Sequence, residues 1–292
     1  MNFAILGAGR GWHTDELERA VSARGHRLRL LPIQALTARV GGTPSLAAAG
    51  TALEGCDGVI LRIIPRGSLE QIIFRIDALH RLERLGIPVL NPAPVIERTV
   101  DKFFTSALLE EAGLKTPRTV VAERLEDAMA AFQAMRDVIV KPLFGSNGRG
   151  IVRVSDEELA YRVFRALELE RAVYYVQQAL PHAGRDLRVF VLGGRVLASI
   201  WRCADGWRTN LARGARAEKA ELPSAWEELS LRAVRAVGAE YGGVDLLPTS
   251  TGELHVLEVN GIPGWRGLQG TTDVDVADAI VRHLEGLVRG RA

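Results

Sequence analysis

The chain has 292 residues and a mass of 31.8 kDa, which exceeds one ordinary compact domain and suits two or three small domains that share a site. Its 37 lysines and arginines almost balance its 35 aspartates and glutamates, and a net charge of +2 excludes a general coat for nucleic acid or anionic lipid. The hydrophobic fraction of 47% excludes a largely disordered chain.

The first ninety residues alternate strands with helices. The pattern predicts strands at 2–6, 26–31, 58–63 and 88–90, and helices at 14–24 and 68–85. Such alternation is typical of a parallel sheet covered by helices. Two prolines within residues 91–94 then interrupt the chain, because proline ends both helices and central strands, and we expect a domain boundary near residue 97.

From residue 98 onward the pattern becomes α+β. A helix is predicted at 100–112, with Thr99 as its N-cap and Gly113 as its left-handed stop. The remaining predicted elements are helices at 125–135, 225–241 and 274–288, single strands at 118–122, 138–140 and 151–154, and the hairpins 187–202 and 244–260. The first hairpin turns at Gly193 and Gly194.

Two further features bear on the compartment. Cys56 and Cys203 are too few for a disulfide framework and lack the spacing of zinc ligands, so we expect both to be buried small side chains. The amino terminus has no basic region followed by a long apolar run, and no apolar stretch approaches 18 residues. We expect a soluble, cytoplasmic protein with neither a membrane nor nucleic acid as partner.

Two glycine-rich loops compete for a phosphate-binding role. In the first, residues 7–11, the glycines are spaced two and two, which misses the third glycine of the dinucleotide fingerprint. This loop is interpreted as a tight turn between strand and helix or as a loop that faces substrate. An NAD(P)-dependent oxidoreductase that uses it is the alternative of another class.

In the second loop, residues 141–150, three glycines and two small polar residues expose successive backbone N–H groups that can form an anion-binding nest. Lys141 and Arg149 add positive charge at its two ends. This chemistry suits a nucleotide triphosphate, although the loop is no Walker motif because no GK[ST] follows. A hairpin tip with incidental charge is the alternative.

Only four of the basic residues are lysine, namely Lys102, Lys115, Lys141 and Lys219. Lys102 falls in the first turn of a predicted helix, where the helix dipole opposes a cation by up to about 1 kcal/mol. A bound phosphate would offset that cost, and so would a salt bridge to Asp101 or Glu97.

Three oxygen-bearing side chains are predicted to converge in the second hairpin. Glu258 and Asn260 are two residues apart on one strand and therefore share a face. With a turn at 249–253, Asp245 lies nearly opposite Glu258. Hard oxygens with an incomplete shell suit magnesium, which takes phosphate oxygens and water as its other ligands. Strand acids that simply face solvent are the alternative.

Together these segments resemble the ATP-grasp superfamily and, within it, the RimK-type glutamate ligases. The resemblance rests on DK at 101–102, KPLFGSNGRG at 141–150, RDLRVFVLGGRVLASIWR at 185–202, WRTNLARGA at 207–215, GVDLL at 243–247 and LEVNGIPGWRGLQGTTDVDVA at 257–277. It runs from about residue 88 to the carboxyl terminus, while the first ninety residues fit the family only loosely.

The resemblance implies an α/β and α+β fold, in which a parallel-sheet pre-ATP-grasp domain precedes a two-lobed ATP-grasp fold. The expected domains are residues 1–97, a central lobe at 98–180 with the glycine-rich phosphate loop, and a carboxyl-terminal lobe at 181–292 with the magnesium site. ATP and Mg²⁺ are the expected cofactors, with Mn²⁺ as a substitute. A homodimer or homotetramer is also implied.

By motif match, the resemblance implies three groups of site residues. The expected ATP-binding residues are Lys102, Lys141, Ser146, Asn147, Gly148, Gln177, Gln178, Ala179 and Leu180, and the expected metal ligands are Asp245, Glu258 and Asn260. Arg188, Arg202, Asn210 and Arg213 are expected to face the reacting phosphoryl and carboxylate groups. A strict two-residue turn would pair Arg188 with Ser199 and send Arg202 to the opposite face, so a bulge, or curvature at the strand end, is needed for both arginines to share one site.

The implied reaction is ATP-dependent amide formation through an acyl phosphate. The expected partners are an amino acid, with glutamate favoured, and a small-molecule acid such as a tetrahydromethanopterin-type pterin. A ribosomal-protein tail or an amino-group carrier protein is the alternative acceptor, and a nucleotide sensor without turnover is a further alternative. Trp265 could stack on a flat acceptor ring beside Arg266, or it could be a packing tryptophan.

Overall fold

The structure, a computed structural model, describes residues 1–145 and 148–290. Strands and helices alternate over its first hundred residues, as predicted. The elements are β1 (Asn2–Gly7), α1 (Trp12–Ala23), β2 (Arg27–Pro32), β3 (Leu36–Ala38), β4 (Leu46–Ala48), β5 (Thr51–Ala52), β6 (Gly58–Leu61), α2 (Leu69–Arg84), β7 (Val89–Leu90) and α3 (Ala93–Val100). Within the described ranges no helix is long and apolar enough to cross a lipid bilayer.

The predicted parallel sheet is present and has the strand order β2-β1-β6-β7. Its central strand β1 supplies two cores, because successive side chains point to opposite faces. Phe3 and Ile5 pack with α1, whereas Ala4 and Leu6 pack with α2. The chain leaves β1 for β2 on one side and returns to β6 on the other, so the strand order reverses between the carboxyl ends of β1 and β6.

A small antiparallel sheet of β3, β4 and β5 lies between β2 and β6 in the chain. The sequence analysis did not predict it. Its strands have only two or three residues, which is too short for an alternating pattern to be recognised.

The strand β7 ends at Leu90, just before Pro92 and Pro94, as predicted, but the two prolines also begin a helix, which was not predicted. Pro92 is the N-cap residue of α3 and Pro94 lies in its first turn, where a missing N–H costs no helical hydrogen bond. The Thr99 cap was wrong, because α4 (Lys102–Glu111) is capped by Asp101, whose carboxylate accepts from the Phe104 N–H at 3.0 Å. Lys102 does occupy the first turn, and the domain boundary at 97/98 stays a prediction.

After α4 the chain forms β8 (Thr119–Ala122), α5 (Leu125–Met135), β9 (Val138–Lys141), β10 (Val152–Val154), α6 (Glu157–Leu169) and β11 (Tyr174–Gln178). It continues with β12 (Arg185–Leu192), β13 (Arg195–Cys203), β14 (Arg216–Lys219), α7 (Ser224–Val237), β15 (Tyr241–Pro248), β16 (Leu254–Asn260), α8 (Arg266–Gln269) and α9 (Val276–Arg289). The elements α6, β11, β14 and α8 were not predicted.

Two antiparallel sheets follow from these elements, in the orders β10-β9-β11-β8 and β14-β13-β12-β15-β16. The helix predicted at 225–241 ends earlier, because Gly238 adopts the left-handed conformation (φ +72°) and caps α7. Tyr241 is thereby free to begin β15. An α/β region followed by α+β sheets is therefore confirmed, and a cleft lies between the two antiparallel sheets.

Candidate functional site

The cleft between the two antiparallel sheets encloses about 780 Å³ of empty space, open solvent included, which is within the usual size of a ligand site. Its lining mixes apolar and charged side chains. The apolar residues are Pro117, Ile139, Ile151, Ala179, Leu180, Leu247 and Leu257, and the charged residues are Lys141, Arg153, Asp186, Arg202, Arg208, Asp245 and Glu258. The segment 177–180 expected to meet adenine is part of this lining.

Gln177 has a role in this cleft that the sequence did not reveal. Its side chain is buried, and its Oε1 accepts a hydrogen bond from Lys141 Nζ at 2.6 Å. Its Nε2 donates to Thr119 Oγ1 at 3.0 Å and to the Tyr175 hydroxyl at 3.2 Å. Gln177 thus fixes the lysine, while Gln178, Ala179 and Leu180 contribute to the wall of the cleft.

The two predicted phosphate-binding lysines lie near each other. Both line a smaller cavity together with Glu258 and Asn260. Burial lowers the pKa of Lys141, and the charge of nearby Lys102 lowers it further. Burial also lowers the pKa of Lys102. Two desolvated ammonium groups facing one cavity favour an anion between them.

Lys102 donates hydrogen bonds to the start of the glycine-rich loop instead of forming a salt bridge with an acidic side chain. Its Nζ donates to the Gly145 carbonyl at 2.9 Å and to the Leu143 carbonyl at 3.2 Å. The salt bridge considered from the sequence is not observed in the described part of the chain, because Asp101 caps α4 and Glu97 pairs with His80 at 3.2 Å. The positive charge therefore stays available at the loop.

The hairpin geometry expected for the metal ligands is present. Asp245 pairs directly with Glu258 across β15 and β16, and Asn260 pairs with Gly243 on the same face. The Asn260 amide Nδ2 donates to Glu258 Oε1 and to the Gly243 carbonyl, both at 3.2 Å, which leaves its Oδ1 available. The three side chains bring hard oxygens together, as a magnesium ion requires.

Asp245 also contacts two arginines. Arg188 forms a two-pronged pair with it, both bonds being 2.7 Å, and Arg202 approaches within 2.9 Å. Burial raises the pKa of Asp245, but the charges of these two arginines outweigh that effect and the pKa is lowered. The carboxylate is therefore ionised, and a cation would share its remaining lone pairs.

Arg188 and Arg202 lie on the same face of the sheet because the hairpin of β12 and β13 contains a bulge at Leu197 of β13. The register shifts between Phe190 and Val191, so Arg188 opposes Ile200 instead of Ser199 and Asp186 opposes Arg202. The conditional prediction of a bulge is thus confirmed.

The glycine-rich loop meets the carboxyl-terminal sheet at Asn210 and Arg213. Gly148 has φ +66°, and a Cβ there would lie 2.9 Å from Asn210 Cγ and closer still to its Oδ1. Arg213 Nη2 donates to the Gly148 carbonyl at 3.5 Å. These contacts join the loop to the segment between β13 and β14. Ser146 and Asn147, also expected to bind ATP, lie outside the described residues.

Sequence reasoning missed Asp186 and Thr209. Asp186 is 2% exposed, and its carboxylate accepts from Arg202 Nε at 2.7 Å and from Thr209 Oγ1 at 2.6 Å. The alternation of side chains along a strand could have identified Asp186, because it lies two residues before Arg188 and therefore shares its face. Asp186 therefore orients Arg202 and ties the segment before Asn210 to β12.

The interpretation of Trp265 as an acceptor-stacking ring was wrong. Trp265 is 1% exposed and packs against Trp12, His13 and Phe190. The packing interpretation is confirmed, and Arg266 beside it is exposed.

Comparisons with known proteins agree with this geometry. Residues 99–284 match the RimK-like ATP-grasp domain and residues 1–96 match the RimK PreATP-grasp domain. The amino-terminal match leaves no support for the oxidoreductase alternative, and it extends the loose resemblance of the first ninety residues to the whole segment.

Curated relatives carry glutamate ligase names. The chain is 36% identical to the tetrahydromethanopterin:alpha-L-glutamate ligase of Methanocaldococcus jannaschii, over 72% of this chain and 74% of that protein. It is 31% identical to the enzyme of that name from Methanosarcina acetivorans, over 81% of this chain and 82% of that protein. It is 34% identical to a probable alpha-L-glutamate ligase of Xanthomonas campestris, over 99% of this chain and 100% of that protein.

Solved structures share the fold. The ATP-grasp ligase PsnB complexed with minimal precursor is 24% identical with a TM-score of 0.76, covering 98% of both chains. The RimK domain protein ATP-grasp from Sphaerobacter thermophilus is 23% identical with a TM-score of 0.76, covering 98% of this chain and 100% of that one. These similarities establish the ATP-grasp fold.

Proposed function

Because the chain belongs to the RimK family of ATP-grasp ligases and is an ATP-dependent ligase, we propose that it adds L-glutamate to a carboxylate of a small-molecule cofactor. One observation supports this most directly. Two desolvated lysines share a cavity with Glu258 and Asn260, and Asp245 pairs with Glu258 on the neighbouring strand, which is the charge arrangement that a magnesium triphosphate needs.

The lining of the cleft supports a division of roles in binding ATP. Adenine lies against Gln178, Ala179 and Leu180. The phosphates meet Lys141 and Lys102 beside the turn at Gly148, and Ser146 and Asn147 are the other expected ATP-binding residues. Gln177 holds the Lys141 ammonium in place, which reduces the ordering required when the nucleotide binds.

The donor set fits Mg²⁺, with Mn²⁺ as a substitute. Glu258, Asn260 and the free lone pairs of Asp245 would hold it. When bound, the ion neutralises negative charge on the phosphate oxygens. The arginines that hold Asp245 also keep its oxygens directed toward the cleft before the ion arrives.

The reaction proceeds in two transfers. An oxygen of the acceptor carboxylate attacks the terminal phosphorus of ATP, and the bond from that phosphorus to the bridging oxygen breaks. The products of this step are an acyl phosphate and ADP. The glutamate nitrogen then attacks the acyl carbon, loses a proton and expels phosphate. Negative charge develops on the phosphoryl oxygens in both steps. The side chains that stabilise this charge are Arg188, Arg202, Asn210 and Arg213. No side-chain nucleophile is needed.

The choice of acceptor rests on the relatives. Three are named tetrahydromethanopterin:alpha-L-glutamate ligase at 31–36% identity, which supports a pterin-type acceptor. A peptide acceptor, such as a ribosomal-protein tail or an amino-group carrier protein, is the second candidate. It is favoured by the ATP-grasp neighbour PsnB, which has been solved with a precursor peptide.

The test is release of ADP by the purified protein with ATP and Mg²⁺, screened over amino acids and acceptor acids, with mass spectrometry of the products. We expect release that requires both substrates and a product heavier by one or more glutamyl groups. ATP binding without release for any pair would instead indicate a nucleotide sensor and would refute the ligase proposal. Analytical ultracentrifugation tests the proposed homodimer or homotetramer.

A further inference from the structure

The crevice at the carboxyl ends of β1 and β6 has no part in the function proposed above. The strand order of the parallel sheet reverses at this point, and open α/β sheets bind ligands there because the two loops leave in opposite directions. The segment 261–266, which directly follows the proposed metal ligand Asn260, lies beside this point and contacts His13 of α1 and Arg62 after β6.

Several contacts bring these segments together. The Trp265 backbone N–H donates to His13 Nε2 at 3.0 Å. A Cβ on Gly264 would lie 3.4 Å from the same ring nitrogen, and a Cβ on Gly7 would lie 3.8 Å from Arg62 Cβ. The segments therefore meet at a corner beside the half-buried Arg62, with glycines where they approach.

Arg62 is placed at the base of this corner. Its Nη1 donates to the Pro263 carbonyl at 3.1 Å and to the Tyr241 hydroxyl at 3.3 Å, and its guanidinium lies 4.6 Å from the centre of the Trp265 ring. Pro263 and Arg188 both lie next to Gly243. A Cβ on Gly243 would lie 3.1 Å from Pro263 Cβ and 3.6 Å from Arg188 Nε. Arg62 is thus one residue away from the proposed reaction site.

Arg62 forms no salt bridge with a carboxylate of the described residues. Its side chain donates only to neutral oxygens among them, and its buried Nε has no partner there. The buried Trp265 Nε1 also lacks an acceptor in the described chain. Arg10, by contrast, is paired with Asp15 and Glu18. A half-buried cation beside unsatisfied donors favours an anionic ligand.

The electrostatics of the corner agree with its geometry. Burial, together with the charges of Arg62 and Arg266, lowers the pKa of His13 to about 4. His13 is consequently neutral at pH 7 and accepts the Trp265 N–H, so the corner's positive charge comes from the two arginines.

We propose that this corner binds a non-reacting carboxylate of an amino-acid substrate, with Arg62 as its direct partner and Arg266 as a second, exposed charge. The inference rests on the proposed ligase function and deepens it. When glutamate attacks through its nitrogen, neither of its two carboxylates reacts. When the acceptor itself ends in a glutamyl group, one of that group's two carboxylates reacts and the other does not. Arginine pairs with carboxylates through two parallel bonds, which makes it suited to select such a substrate.

Calorimetric titration of the full-length protein, saturated with ADP and Mg²⁺, tests this inference. The probes are L-glutamate for the incoming amino acid and N-acetyl-L-glutamate for the acceptor end. We expect Arg62→Gln to weaken one probe by about 10-fold to 100-fold, and the weakened probe identifies the source of the carboxylate. Arg98→Gln is the matched control, because Arg98 is half-buried and also donates to a backbone carbonyl, that of Val237, at 3.1 Å.

Two results would overturn the inference. In the first, the affinity of Arg62→Gln for both probes stays within twofold of the wild-type affinity. In the second, Arg62→Gln loses no more affinity than Arg98→Gln does. Equal thermal unfolding midpoints and equal ADP affinity show that the variants are folded. If Arg62→Gln does not fold, Arg266→Gln decides, with an expected weakening of about twofold to fivefold. A wild type that releases no ADP with any substrate pair would refute the proposed function itself, which is a different outcome.

Discussion

Replacing Gly148 by alanine perturbs the contact between the glycine-rich loop and the carboxyl-terminal sheet. The added methyl group would lie 2.9 Å from Asn210 Cγ, whereas carbon atoms pack at about 3.5–4.0 Å. The loop or the Asn210 side chain must therefore move by about 1 Å. The left-handed φ of +66° adds roughly 1–2 kcal/mol of backbone strain.

Gly150→Ala is the matched control for this change. Gly150 has φ +73°, so its substitution costs similar backbone strain, but its nearest neighbour would be Pro142 at an ordinary 3.5 Å. Both variants should lose about the same stability from strain. Only Gly148→Ala should also displace Asn210, and a displacement of about 1 Å at a reacting centre can lower kcat/KM by up to about 100-fold.

The assay is steady-state ADP release, giving kcat/KM for ATP, alongside urea unfolding of each variant. We expect a large fall for Gly148→Ala and no more than about a fivefold fall for Gly150→Ala. Combining Gly148→Ala with Asn210→Ala should cost little beyond Asn210→Ala alone, because the obstructed side chain is gone. Equal kcat/KM values for the two glycine variants would refute the reasoning.

Three further predictions follow from the site and its surroundings. Lys141→Met should abolish ADP release and leave the free energy of unfolding unchanged or higher, since burial already disfavours the ammonium; exposed Lys219→Met is the control, and retained turnover would contradict the phosphate role. Asp245→Asn should lower the free energy of unfolding by about 3–5 kcal/mol in metal-free buffer, because two arginines lose their carboxylate, and a loss below about 1 kcal/mol would argue against a coupled network. His13 has a folded pKa of about 4 against 6.5 unfolded, so stability should fall as pH drops from 6.5 to 4, by about 1–2 kcal/mol after allowance for solvent screening. Urea unfolding at pH 7 and pH 5 should show a smaller fall for His13→Gln than for the wild type, and equal falls would disprove this assignment.

Local patterns were sufficient for much of the fold. Period-two and helical repeats predicted the parallel sheet and the two hairpins, because both repeats depend only on neighbouring residues. The pairing of Asp245 with Glu258 was also accessible, since a hairpin brings close neighbours in the chain to opposite positions. Proline was misinterpreted because its effect depends on position, and Pro92 begins a helix where a central strand would have ended.

The sequence by itself determined the family, the ligase chemistry and the residue types of the proposed metal and phosphate sites, because each of those signals lies within a short segment. Only the tertiary structure decided how distant segments combine. A single bulge at Leu197 in β13 turned Arg202 toward Arg188, and packing against His13, 252 residues away in the chain, removed Trp265 from any acceptor site. Arg62 meets Pro263 for the same reason. Contacts between remote residues depend on the packing of whole sheets and helices, which no local pattern records.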